Sequence, residues 1–145
     1  MNRLEALSSD LAARLHQASA ANQRAVCLAA CEFAVAHTKI EHPLVGRALK
    51  RVRAAGVFTA EESADLDALV SRLDEEYFDL QKVAEEGLAS TDDYMRAFAQ
   101  ARAVAALSFA GGKNAFEAAT ETVYEAAATT DDKEKLFALI ESILK

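Results

Sequence analysis

An apolar stripe with a helical period runs for nearly three heptads through the middle of the chain, and it constrains the fold more than any other feature. Its members are Leu66, Leu69, Val70, Leu73, Tyr77, Leu80 and Val83. Spacings of three and four place such residues on one face of an α-helix. A capping box, Thr59-Ala-Glu-Glu62, precedes the stripe and Gly87 follows it. The pattern predicts one long amphipathic helix from about residue 60 to residue 86, with Leu69, Leu73 and Leu80 in the core.

The rest of the chain also favours helix, because alanine dominates it and only five glycines and one proline occur in 145 residues. We predict an all-α fold of about seven helices in a single domain, residues 1–145. The first helix opens at an Asn2–Glu5 capping box and carries the stripe Leu4, Leu7, Leu11 and Leu15. A second helix is expected at about residues 22–37, and a third begins at Pro43 and ends with Gly56 at its C′ position. After the long helix, further helices are expected from Ser90 to Gly111, at 113–128 and at 132–144. Thr130 or Asp131 is expected to cap the last of them.

Two segments resemble each other internally. "RAVCLA" at residue 24 and "RAVAAL" at residue 102 each open an apolar helix that is preceded by a leucine-striped helix and followed by a shorter amphipathic one. This pattern favours two three-helix units plus a closing C-terminal helix, arranged as a stack of α-hairpins or a bundle.

One stretch, residues 27–43, concentrates residues that can do chemistry. Cys27 and Cys31 stand at i and i+4, so they could supply two ligands of a metal site. His37, however, lies about 9 Å further along the helix axis than Cys31 and about 120° around it, so it cannot complete that site. We therefore interpret both cysteines as reduced core residues, with His37 interacting with a helix C-terminus and His42 capping the next helix. The alternative is a helical enzyme or a small-ligand-binding bundle with a pocket near Cys27, Cys31 and His37.

The sequence contains none of the common nucleotide-binding, zinc-protease, hydrolase or calcium-binding motifs. We therefore predict a protein that is not an enzyme and that needs no cofactor and no metal. The net charge of −7 disfavours binding to nucleic acid and to anionic membranes, and it would attract a basic protein. No signal peptide and no membrane-spanning run are predicted, since the longest charge-free run, residues 103–112, is half the length a bilayer requires. A cytoplasmic location is expected.

Acidic charge is concentrated between residues 61 and 93, where twelve carboxylates face only Arg72 and Lys82. Within it, "DEEYFD" places Phe78 near Asp74, Glu75 and Asp79, about 100° from the buried stripe. An exposed aromatic side chain among carboxylates is typical of a surface that binds a basic protein. We predict Asp74, Glu75, Phe78 and Asp79 as partner-binding residues.

Other interpretations of the charge pattern stay open. The acidic residues and the basic residues of the preceding helix, Arg47, Lys50, Arg51 and Arg53, can be solvated faces that partly neutralise each other. Phe78 can pack beneath a neighbouring helix. The chain can also be a structural homo-oligomer in which the same faces associate.

Four segments together resemble a known group of proteins. The alanine-rich buried helix, "HPLVGRALKRVRAAG", "ARAVAALSFAGG" and "AFEAATETVYEAAATT" are similar to the small, alanine-rich, all-helical immunity proteins that accompany bacterial polymorphic toxins. This resemblance spans most of the chain. It implies a stoichiometric inhibitor that covers the active site of a toxin and has no catalysis of its own, and it assigns no functional residue by position.

Overall fold

The computed structural model describes residues 2–87 and 90–145, and within those ranges the chain is helical without strands. The all-α prediction is therefore confirmed, with eight helices in the described part rather than about seven. They are α1 (Arg3–Leu7), α2 (Ser9–Gln17), α3 (Ala20–Thr38), α4 (Pro43–Arg53), α5 (Ala60–Glu85), α6 (Thr91–Ala110), α7 (Ala115–Ala127) and α8 (Lys133–Leu144).

The additional helix comes from a break at Ser8 inside the predicted first helix. Ser8 is extended, with φ −159° and ψ 100°, and its N–H donates to the Leu4 carbonyl to end α1. Its hydroxyl then accepts from the Leu11 N–H at 3.2 Å and begins α2. The leucine spacing continues through this point, but a serine hydroxyl can replace helical hydrogen bonds with a cap, and here it does.

Most helix starts follow the local signals in the sequence. Capping boxes are present at Asn2, Thr59 and Ser90. His42 is the N-cap of α4, where its Nδ1 accepts from the Leu44 N–H at 3.1 Å and Pro43 occupies the first turn. The predicted capping role of His42 is confirmed.

Two predicted boundaries are wrong in detail. At the end of α4 the left-handed residue is Ala55, with φ 56°, and Gly56 follows it, donating its N–H to the Arg51 carbonyl at 2.9 Å. Glycine is needed there for space, because a Cβ on Gly56 would lie 2.6 Å from Arg51 Cδ. The cap of α8 is Asp132, whose carboxylate accepts from the Lys135 N–H, while Thr130 accepts from the Asp132 N–H in the turn before it.

The core lies where α3, α6 and α7 pack on one another, with α8 against α3. Small side chains dominate this centre, so the helix axes can approach closely. On α6 alone, Ala101, Ala103, Val104, Ala106 and Leu107 are completely buried. Cys27 and Cys31 are both fully buried in α3, so their predicted place in the core is confirmed.

Helices α5 and α6 form an antiparallel hairpin, as three cross-helix pairs show: Asp67 with Ser108, Asp74 with Arg102, and Tyr77 with Phe98. Leu69 and Leu73 are buried as predicted, but Leu80 is only partly buried. The reason is tertiary: α4 contacts the N-terminal part of α5, through Arg51 and Glu62 for example, whereas α5 otherwise packs mainly on α6.

Candidate protein-binding surface

The outward face of the C-terminal half of α5 carries carboxylates that the rest of the fold leaves free. Glu75, Glu76 and Asp79 are exposed, and within the described residues none of them forms an ion pair. The N-terminal end of the same helix differs, because Arg51 of α4 bonds to the Glu62 carboxylate at 3.0 Å. The expected neutralisation between α4 and α5 is therefore real but local to that end.

The Glu62 carboxylate at the N-terminal end is fully engaged within the chain. It accepts the backbone N–H of Thr59 at 2.9 Å, in the capping box. That hydrogen bond, followed by those of Arg51 and the charge of Arg51, holds the pKa of Glu62 below its usual value. This carboxylate therefore serves the fold, whereas those of Glu75 and Asp79 are available to a partner.

Phe78 is the most exposed large apolar side chain of the described residues, at 62% of its full area. It does not pack beneath a neighbouring helix. Its ring lies 5.1 Å from that of Tyr77, which is itself held against Phe98 at 5.3 Å and Tyr94 at 6.0 Å. An aromatic platform shared by α5 and α6 therefore presents Phe78 to solvent.

Asp74 occupies a different environment from the other three predicted partner-binding residues. Both of its carboxylate oxygens accept from Arg102 Nη2 at 3.0 Å, and its side chain is about one third exposed. Its charge is already engaged, and it ties α5 to α6. Glu75, Phe78 and Asp79 thus form the free part of the predicted site, and Asp74 positions the helix that carries them.

Arg102 belongs to an ion-pair network that sequence reasoning missed. Its Nη1 donates to Glu125 of α7 at 3.0 Å, and Arg3 of α1 bonds to the same carboxylate at 2.9 Å and to Glu121. Glu125 is only 2% exposed, yet it holds two guanidinium groups. The signal was present in the sequence, since Arg102 is a lone charge in the otherwise apolar second half of α6, and such a charge requires a partner.

The carboxylates of this network stabilise the charged form of Arg3. Burial opposes the charge of Arg3, but hydrogen bonds and attraction from Glu121 and Glu125 outweigh it and raise the pKa of the Arg3 guanidinium. The buried Nε of Arg102 has no hydrogen-bond acceptor among the described residues. The network therefore joins α1, α5, α6 and α7 while leaving one donor unsatisfied.

An open groove of about 650 Å³ runs beside this network, and we call it the hairpin groove. Its floor is α6, and its walls are α5 on one side and α7 with Arg3 on the other. It is lined by Arg3, Asp67, Val70, Asp74, Arg102, Ala105, Ser108, Phe109, Glu121 and Glu125. The groove and Phe78 share the α5–α6 hairpin.

The residues of the alternative pocket do not meet in one place. Cys27 and Cys31 are fully buried, whereas His37 is exposed at the end of α3 and stacks on Phe33 at 5.9 Å. Burial raises the pKa of Cys27 to about 11 and that of Cys31 well above its ordinary value, so both thiols are protonated near neutral pH. Over residues 2–87 and 90–145, no group of three or more His, Cys, Asp and Glu side chains could hold a metal ion.

Within the described parts of the chain, no helix has the length and apolar character needed to cross a bilayer. Comparison of the chain with models of protein families, with curated proteins and with solved structures found no match.

Proposed function

We propose that this protein is a non-enzymatic binding module that recognises a basic protein through the exposed face of α5. The observation that carries the proposal is Phe78, which is 62% exposed on a helix whose neighbouring carboxylates, Glu75 and Asp79, have no ion-pair partner among the described residues. Folding does not require this arrangement, since a phenylalanine that is exposed to this extent contributes little to stability.

The two kinds of side chain have different tasks in such a contact. Desolvation of an aromatic anchor provides most of the binding free energy and sets the dissociation rate. Unpaired carboxylates around it accelerate the encounter with a basic partner and disfavour acidic ones. The excess of ten negative charges between residues 61 and 93 gives this part of the chain a field that extends to about one Debye length, ~8 Å at physiological salt.

The finer proposal is an immunity-type inhibitor of a basic toxin or enzyme in the cytoplasm. A stoichiometric inhibitor needs a rigid surface that covers an active site, and it needs no chemistry of its own. The hairpin of α5 and α6 meets this requirement. Near Phe78 its two helices are held together by the aromatic platform of Tyr77, Tyr94 and Phe98 and by the Asp74–Arg102 pair. The resemblance in sequence to alanine-rich immunity proteins supports the same assignment.

Photo-crosslinking from position 78 tests the proposal before any partner is known. Phe78 is replaced by p-benzoylphenylalanine, an aromatic residue of similar shape, and the protein is illuminated in an extract of the cells that produce it. Leu139 of α8, which is 41% exposed on another helix, is replaced in the same way as the matched control. We expect mass spectrometry to identify one basic protein crosslinked from position 78 and not from position 139, and less of it at high salt.

Two outcomes would contradict the proposal. One is the same set of crosslinked proteins from positions 78 and 139, and the other is a second copy of this chain as the product from position 78. The latter would favour the structural homo-oligomer, and light scattering on the purified protein would then show a dimer or larger assembly. For the immunity-type assignment, the captured protein must lose its activity at one equivalent of wild-type chain and keep it with Phe78→Ala.

A further inference from the structure

Two guanidinium groups share the buried carboxylate of Glu125, and each of them occupies one of its oxygens. Arg3 Nη2 donates to Oε1 at 2.9 Å, and Arg102 Nη1 donates to Oε2 at 3.0 Å. The side chain of Glu125 is only 3% exposed, so water has little access to either oxygen. Both bonds are therefore needed to offset the burial of this charge.

Arg3 reaches Glu125 from α1, a helix of five residues whose Leu4 is completely buried. The guanidinium carbon of Arg3 lies 4.3 Å from the centre of the Tyr124 ring and 5.7 Å from that of the Phe109 ring. Cation–π contacts at these distances favour one placement of the guanidinium group. The packing of α1 against α7 therefore supplies Glu125 with the first of its two partners.

Arg102 divides its donors between two carboxylates that differ in burial. Its Nη1 bonds to Glu125, whereas its Nη2 donates to both oxygens of Asp74 at 3.0 Å. The side chain of Asp74 is 35% exposed, so water can replace a lost donor there. A lost donor costs far more at Glu125, because a buried carboxylate oxygen without a partner keeps the full desolvation penalty.

These unequal costs predict how the network responds when Arg3 is removed. Oε1 of Glu125 then has no donor. A planar guanidinium group can pair with a single carboxylate through both of its Nη atoms. Arg102 can form that pair with Glu125 only if its Nη2 leaves Asp74, and the exposed carboxylate of Asp74 is then hydrated.

We propose that Arg3 is a positioning residue for the partner-binding face of α5, because its bond to Glu125 keeps Arg102 on Asp74. This inference rests on the proposed function and adds to it a control of the charge beside Phe78. Asp74 lies four residues before Phe78, one helical turn away on nearly the same side of α5. Without Arg3, a third free carboxylate joins the two that already flank the aromatic ring.

Unfolding of the chain alone tests this coupling without a partner. No hydrogen bond or ion pair joins Arg3 to Asp74 among the described residues, so independent sites would give additive effects. We expect Asp74→Ala to lower the urea midpoint in the wild type, and to lower it by less than about half as much in Arg3→Ala, where Asp74 is already released. Arg3→Lys keeps a cation beside Glu125 and should restore the full effect.

Asp67→Ala is the matched control for the unfolding test. Asp67 lies about two turns earlier on α5, lines the same groove and accepts from Ser108 outside the ion-pair network. Its replacement should shift the midpoint equally in the wild type and in Arg3→Ala. Circular dichroism establishes that each variant is folded; if Arg3→Ala is not, Arg3→Gln replaces it. Equal effects of Asp74→Ala in the two backgrounds would overturn the inference and leave the proposed function standing.

Association with the protein captured from position 78 gives a second measurement, which a merely structural role of Arg3 would not produce. Arg3→Ala should raise the association rate at low salt about twofold, and adding Asp74→Ala should remove the gain. An unchanged or slower rate in Arg3→Ala would overturn the inference. If crosslinking from position 78 captures no specific protein, the proposed function fails, and the unfolding comparison still decides whether Arg3 positions Asp74.

Discussion

Glu125 and Arg102 are charged residues on two alanine-rich helices of the bundle. Sequence reasoning had no means of pairing them, because a contact between α6 and α7 depends on how the helices pack and not on any local spacing. Arg102 also bonds to Asp74, so this residue, which the sequence pattern assigns to a partner, is engaged within the chain. Exposure of Phe78 was easier to predict, since it follows from its phase on a single helix.

Removing the buried carboxylate of Glu125 should destabilise the folded protein. Glu125→Ala leaves Arg102 without its α7 partner in a largely buried position, so the free energy of unfolding should fall by ~3–5 kcal/mol. Glu117→Ala, an exposed carboxylate on the same helix, is the control and should change it by less than about 0.5 kcal/mol. Urea unfolding measures both, and similar values for the two variants would show that the network contributes nothing to the fold.

The cysteines should be inert in the folded protein. Because burial raises the pKa of Cys27 to about 11 from an ordinary value of 9.0, the folded state favours the neutral thiol. The free energy of unfolding should therefore be unaffected by this group below pH 9 and should fall as the pH rises toward 11, since the unfolded chain releases the proton first.

A disulfide reagent at pH 8 should label Cys27 and Cys31 only as fast as the protein unfolds, and labelling at the rate of the denatured chain would refute their burial.

At the scale of helices, the sequence predicts boundaries well where a side chain caps its own helix. Thr59, Ser90 and His42 show this, because each cap bonds within two or three residues. Ser8 shows the limit, since the leucine stripe runs across it and only the folded chain reveals the break. The predicted pair of three-helix units stays a prediction, although both of its apolar helices, α3 and α6, lie in the core.

Burial along α5 decides how its leucines respond to truncation. Leu69→Ala should lower the free energy of unfolding by ~2–5 kcal/mol, because Leu69 is 4% exposed in the core. Leu80→Ala should cost about half as much, since Leu80 is only partly buried and its site leaves a smaller cavity. Denaturant unfolding of the two variants measures the difference, and an equal loss would mean that Leu80 is as fully covered as Leu69.

At the scale of the whole molecule, charge is organised by the packing of the helices. One pair, Arg51 with Glu62, joins α4 to the N-terminal end of α5, and the ion-pair network engages Asp74 in the middle of the hairpin. Around Phe78, Glu75 and Asp79 have no ion-pair partner among the described residues. The sequence showed the concentration of acidic residues, but the division between engaged and free carboxylates required the positions of Arg51 and Arg102.

The rates of binding to the protein captured from position 78 test the central claim most directly. Stopped-flow measurements at low and high salt compare the wild type with Phe78→Ala and Asp79→Asn, and Leu139→Ala is the control. The account predicts that Phe78→Ala raises the dissociation rate roughly 30-fold, the equivalent of ~2 kcal/mol, with little change in association. It predicts that Asp79→Asn mainly slows association at low salt, and that high salt slows association of the wild type more than it speeds release. Association that is independent of salt, with wild-type rates for both variants, would contradict it.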